Sequence, residues 1–168
     1  ARVNRATARV LHANNFNVSV PKDQVCCGAL HAHAGDLEGA RELARKNVEA
    51  FNSNAPIVTN AGGCGAMLAT YGHLFANDET RAQAAADFSA RVRDISQQLD
   101  GMRSAPTPVE SPVTYDTSCH LLYGQRTGEA SERMLRTVAG DITACGWRSA
   151  GAARSRACRS GASPSELL

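Results

Sequence analysis

Six cysteines stand in this chain of 168 residues, and four of them have neighbours that suit chemistry. Cys26 and Cys27 are adjacent and followed by Gly28, in a loop rich in Cys, Gly and His. Two neighbouring thiolates cannot both face one tetrahedral ion without distortion, but they can reach two different irons of one cluster, and Gly28 lets the backbone approach closely. That favours an iron-sulfur cluster over zinc. Cys64 lies in Asn60-Ala-Gly-Gly-Cys-Gly-Ala66, where glycines permit a tight turn and a following helix would offer free N–H groups and the positive end of its dipole. Cys119 precedes His120, a pairing that invites a thiolate-imidazole nucleophile, although sequence neighbours point apart on most backbones. Cys145 and Cys158 have no such setting and read as small buried hydrophobes. His31 and His33 flank the cysteine pair and could assist a metal, but loop-stabilising histidines are the commoner outcome.

Other chemistries fit less well. Gly63-Cys-Gly-Ala-Met-Leu68 has the outline of a dinucleotide-binding turn, yet Leu68 fills the place of the third glycine and no acidic residue closes a second strand about 20 residues on. A net charge of +2, with 20% charged residues, argues against strong nucleic-acid binding. No run approaches the roughly 20 apolar residues of a membrane span, and the start has no signal-peptide layout. A cytoplasmic protein is the expectation, with irregularly spaced cysteines that serve as thiols or metal ligands rather than a disulfide framework.

The elements that must position these residues alternate. A helix over residues 4–13 should feed a strand at 16–20, closed by Pro21. Asp36 caps a helix whose Leu37, Ala40, Ala44, Val48 and Phe51 step by three or four. A short strand at 57–60 stops at the glycines, so Cys64 sits where strand turns to helix. Ala85, Phe88, Val92, Ile95 and Leu99 predict one long amphipathic helix over 78–99. A proline-rich connector follows at 104–112, and a strand at 113–116 delivers Cys119 and His120 at its exit. The alternation predicts an α/β architecture: a parallel sheet in layers with flanking helices, with Cys64 and Cys119 beyond strand C-termini, where ligands collect. From Arg148 to Ser163 only Arg, Ser, Ala and Gly occur apart from Cys158, a composition that predicts a disordered tail.

At these residues the chain resembles a known family. Cys26-Cys-Gly-Ala-Leu-His-Ala-His-Ala-Gly-Asp36, Ile57-Val-Thr-Asn-Ala-Gly-Gly-Cys-Gly-Ala-Met67 with Tyr71-Gly72, and Asp116-Thr-Ser-Cys-His-Leu121 with Gly124-Gln125 are similar to the cysteine-rich half of glycolate oxidase iron-sulfur subunits. More distant relatives would be the lactate-utilisation iron-sulfur proteins and the Cys-Cys-Gly-containing component of heterodisulfide reductase. The resemblance spans about residues 1–140. It implies a subunit that relays electrons from flavin-containing oxidase subunits towards a membrane acceptor through iron-sulfur clusters of the [4Fe-4S] kind, with Cys26, Cys27 and Cys64 as the ligands kept by a first site and Cys119 as the one kept by a second. It also implies peripheral association with the inner face of the cell membrane through the complex, and no catalysis by this chain alone. On this reading residues 1–103 form a first Cys-Cys-Gly repeat, 104–112 a linker, 113–147 a partial second repeat, and 148–168 an aberrant tail. Family members carry a ferredoxin-like region and a further cysteine upstream, and this chain starts after both; Met67 stands where some relatives have another cysteine. The chain is thus expected to be a fragment with incomplete ligand sets. A zinc-binding or thiol-redox domain and a cofactor-free docking fragment remain the alternatives.

Overall fold

A computed structural model describes residues 2–101, 107–139 and 142–145. The architecture is α/β, as the alternation of elements predicts, with parallel strands flanked by helices. The strands form two separate two-stranded sheets rather than one layer. The expected disordered tail, 148–168, lies outside the described residues, as does part of the proline-rich connector.

Helix α1 (Arg2–Ala13) comes first, and α2 (Ala29–His33) follows the cysteine pair. Helix α3 (Leu37–Ala50) begins where Asp36 accepts a hydrogen bond from the Gly39 amide at 2.9 Å. His31 Nδ1 lies 2.8 Å from the other oxygen of the same carboxylate, so this histidine braces the α2–α3 turn. That hydrogen bond, then the one from Gly39, holds the Asp36 carboxyl below its ordinary pKa.

Strand β1 (Ile57–Thr59) leads into α4 (Gly62–Leu68) and α5 (Tyr71–Leu74), and then α6 (Ala82–Arg91), β2 (Val92–Asp94) and α7 (Ile95–Gln98) run on without a loop. The single long helix expected over 78–99 is therefore broken by a strand. Val92 takes extended dihedrals (φ −67°, ψ 131°), and β2 pairs in parallel with β1, Ile57 against Val92 and Thr59 against Asp94. Helical spacing and buried-strand spacing coincide over so short a run, and tertiary pairing wins. One signal was there: Asp94 and Gln97 form a capping box, with Asp94 Oδ1 accepting from the Ser96 amide and Gln97 Oε1 from the Asp94 amide, both at 2.9 Å. A cap of this kind marks a helix start in mid-run.

The strand expected at 16–20 is absent. Phe16 and Val18 are half-buried and Asn17 and Ser19 exposed, so the alternation is real, but the segment pairs with no strand among the described residues. Alternation reports one covered face; a strand also needs a ladder partner.

The core gathers Ala44, Ile57, Tyr71, Phe75, Ala85, Phe88 and Val92. Tyr71 stacks on Phe88 with ring centroids 5.1 Å apart, and Phe51 meets Phe88 edge-on at 5.8 Å. Arg91 lies over the Phe88 ring and donates to the carbonyls of Phe51, Ser53 and Ala55, which closes the turn leading into β1.

The second half starts with β3 (Val113–Asp116), where the sequence predicts it. A π-helical turn (His120–Gly124), α8 (Gly128–Arg136) and β4 (Ile142–Cys145) follow. Strands β3 and β4 pair in parallel, Val113 against Ile142 and Asp116 against Cys145.

Candidate metal centre

The cysteine pair is held from inside the core. Its loop has no regular structure, so its backbone groups need partners elsewhere. Asn47, on the buried face of α3, accepts from the Val25 amide at 2.9 Å and donates to the Cys26 carbonyl at 3.1 Å. Tyr71, at the start of α5, donates to the Cys27 carbonyl at 2.9 Å and accepts from Asn47 Nδ2 at 3.0 Å. Gly28 then turns the chain with φ +81°, and a β-carbon there would lie 3.3 Å from the Ala40 backbone. Both its left-handed dihedral and its closeness to α3 require glycine.

The loop splits the pair. The Cys27 thiol is buried and Cys26 is exposed. Cys27 lies within hydrogen-bonding reach of Cys64, and Cys26 is near enough to add to the electrostatics of Cys27. Burial pushes the Cys27 thiol up to about 11, opposed by a hydrogen bond from the Ala29 amide and reinforced by Cys64 and then Cys26. Burial likewise raises Tyr71, and all three cysteines add to that shift. Cys64 and, less strongly, Cys26 thus act on the buried Cys27.

Cys64 is reached through β1. Asn60, at the strand's exit, donates to Asn4 Oδ1 at 3.1 Å and Thr7 Oγ1 at 2.9 Å, tying α1 to this end. Helix α4 begins two residues earlier than the tight-turn reading allows, and Gly62, Gly63 and Gly65 all have negative φ. Their use is close approach. A β-carbon on Gly62 would lie 3.1 Å from the Ser118 hydroxyl, one on Gly63 would be 4.0 Å from the His120 ring, and one on Gly65 would be 2.5 Å from the Gln125 amide. Gln125 Nε2 donates to the Gly62 carbonyl at 3.0 Å. The glycines form a bed for the segment that carries Cys119.

Cys119 is exposed and sits at the head of the π-helical turn, between two residues that touch this bed. It is not among the groups that act on Cys27. His120 turns its ring towards Gly63. The side chain of Cys145 lies outside what the structure describes. Among the described residues no three His, Cys, Asp or Glu groups are arranged to hold a metal ion. What the chain offers is a buried and an exposed thiol adjacent in sequence, and a third, exposed thiol that acts on the buried one.

Sequence reasoning missed Asn47 as a site residue. Its signal was an amide on the apolar face of α3, one turn beyond Ala44.

Residues 1–69 match the model of the family described as "CCG: Cysteine-rich domain". Over a longer stretch, the chain is similar to several curated bacterial proteins. It is 36% identical over 143 residues to the "Probable glycolate oxidase iron-sulfur subunit" of Bacillus subtilis, covering 82% of this chain and 32% of that protein. It is 31% identical over 143 residues to "Lactate utilization protein A" of Geobacillus thermodenitrificans, with 82% and 59% covered, and 28% identical over 143 residues to the protein of that name from Bacillus licheniformis, with 83% and 60% covered. The chain therefore spans about a third of the first relative and about three fifths of the others. No solved structure matches it significantly.

Proposed function

We propose that this chain is the cluster-binding part of an iron-sulfur electron-transfer protein, with Cys26, Cys27 and Cys64 as thiolate ligands and Cys119 contributed by the second half. The observation that carries the reading is the meeting of Cys27 with Cys64, residues of two separate motifs, beside the exposed Cys26. Bound there, a [4Fe-4S] cluster would supply one-electron transfer. The chain's own part is to hold the ligands. Asn47 and Tyr71 fix the cysteine loop, and the glycines of α4 admit Ser118 and His120, which flank Cys119. Proximity to positive iron would also favour the thiolate form of Cys27, which burial otherwise opposes. By analogy with the names of its relatives, the parent complex oxidises glycolate or lactate, and a flavin-bearing partner passes electrons through this chain to a membrane acceptor. Among the described residues no helix is long and apolar enough to cross a membrane, so on this reading contact with that acceptor runs through partner subunits.

The Cys27–Cys64 pair also supports a second reading, reversible thiol-disulfide exchange without a metal. Anaerobic reconstitution followed by iron and acid-labile sulfide analysis separates the two. The expected result is iron with sulfide, bound weakly and lost in air, because the last of the usual four thiolates must come from Cys119 on the separately docked second half. Loss of cluster on Cys64→Ala is expected too. Zinc without sulfide, or neither metal, overturns the proposal.

A further inference from the structure

The two polar side chains beneath the cysteine loop do more than fill the core. Asn47 is 2% exposed and Tyr71 fully buried, and they come from different helices, α3 and α5. Each could be replaced by an apolar residue of similar size without loss of packing, since Tyr71 already stacks on Phe88. Instead, among the described residues, every hydrogen bond of these side chains ends on the loop or on one another. Three consecutive residues are gripped: the Val25 amide, the Cys26 carbonyl and the Cys27 carbonyl. A buried amide and phenol are costly unless satisfied, so the arrangement tolerates one loop conformation and penalises others. With both carbonyls drawn to the core, Cys27 is left buried against Cys64 while Cys26 stays exposed.

We propose that Asn47 and Tyr71 are positioning residues, a hydrogen-bonded clamp that sets the division of labour between Cys26 and Cys27 and thereby the geometry of the metal centre. The effect on the metal centre rests on the cluster reading above; the division between the two thiols does not. Ligands that must serve different metal atoms need their backbone held, because the groups around a ligand orient its donor atom and tune the centre. Tyr71→Phe keeps the stacked ring and removes the donor to Cys27. Asn47→Leu keeps the branched shape of the side chain and removes all three contacts. Neither residue carries a thiol, so any effect on the cysteines is transmitted through the loop.

The test measures residue-specific alkylation of the metal-free 168-residue chain by mass spectrometry, well below its melting temperature, with exposed Cys119 as internal standard. Tyr71→Phe is expected to raise the Cys27-to-Cys119 rate ratio roughly tenfold, on the scale of one lost buried hydrogen bond, and Asn47→Leu to raise it further. Ile57→Val, a core truncation away from the loop, lowers stability as a control and should leave the ratio unchanged. After reconstitution, the visible circular dichroism of any cluster should change in Tyr71→Phe and not in Ile57→Val. If the clamp variants only lose stability, with a Cys27-to-Cys119 ratio like that of the control, the clamp is refuted. Failure of the unsubstituted chain to take up iron and sulfide would sink the cluster reading alone, because the alkylation ratios still decide the clamp.

Discussion

The two halves of the molecule position their cysteines by opposite means. In the first, Cys26, Cys27 and Cys64 hang on a core of aromatic and aliphatic side chains, and the loop bonds that place the pair reach into that core through Asn47 and Tyr71. In the second, the buried apolar side chains among the described residues are Ala130 and Ala139, while Thr117, Thr127 and Ser131 are buried as well. Among the described residues the Tyr115 hydroxyl and Thr127 Oγ1 are buried with no hydrogen-bond partner. The described residues of this half bury little apolar side chain and lean on the first half. They do so through the glycine bed of α4, the Ser131–Ser96 hydrogen bond of 2.9 Å that continues to Asp94, and the Arg133–Asp100 ion pair. A strong core allows a site to be set from within; a weak one requires docking.

The largest expected effect follows from striking the shared core. Phe88→Ala removes the ring on which Tyr71 and Phe51 pack, and should cost about 3–5 kcal/mol. Chemical denaturation with hydrogen exchange should show both halves losing protection together. If α8 and β3 keep theirs, the second half has a core of its own and the contrast fails.

Gly124→Ala acts on the docking alone. Its β-carbon would lie 2.7 Å from that of Ala66, so the π-helical turn must move off α4, at a cost of about 1–3 kcal/mol. Cys119 should become more reactive and α8 less protected, while Cys27 alkylation stays as it was. Equal changes at Cys27 would mean that the halves form one cooperative unit.

The smallest effect sharpens the picture. The hydrogen bond from Arg133 holds the Asp100 carboxyl below its ordinary pKa, and the pair is solvent-exposed and screened by salt. A depressed folded pKa means that the stabilising contribution is present above the unfolded value of about 3.9 and is lost as pH falls through the folded one. Protection of α8 amides should therefore decline slightly below about pH 4 and with added salt, and Arg133→Ala should abolish that component of the dependence. An unchanged salt response in the variant would remove this pair from the docking interface.

Much of this was legible in the residues themselves. Local grammar is short-ranged, so Asp36 announced α3, and Ile57-Val-Thr and Val113-Thr-Tyr-Asp announced strands that the fold contains. Cysteines flanked by glycine marked the candidate ligands before any geometry was known. Other features depended on partners distant in sequence. Val92-Arg-Asp94 became a strand because β1 lay alongside, Phe16–Val20 did not because no strand among the described residues did, and Asn47 became a site residue only when the folded chain carried the cysteine loop over it. The same holds for Gly62, Gly63 and Gly65, which looked like turn formers and serve as a packing surface for the segment bearing Cys119. Residue type and spacing determine what a segment can do with its own neighbours; which backbone group meets which buried amide, and which glycine must lack a β-carbon, is decided by long-range packing, because those contacts exist only once the chain has closed on itself.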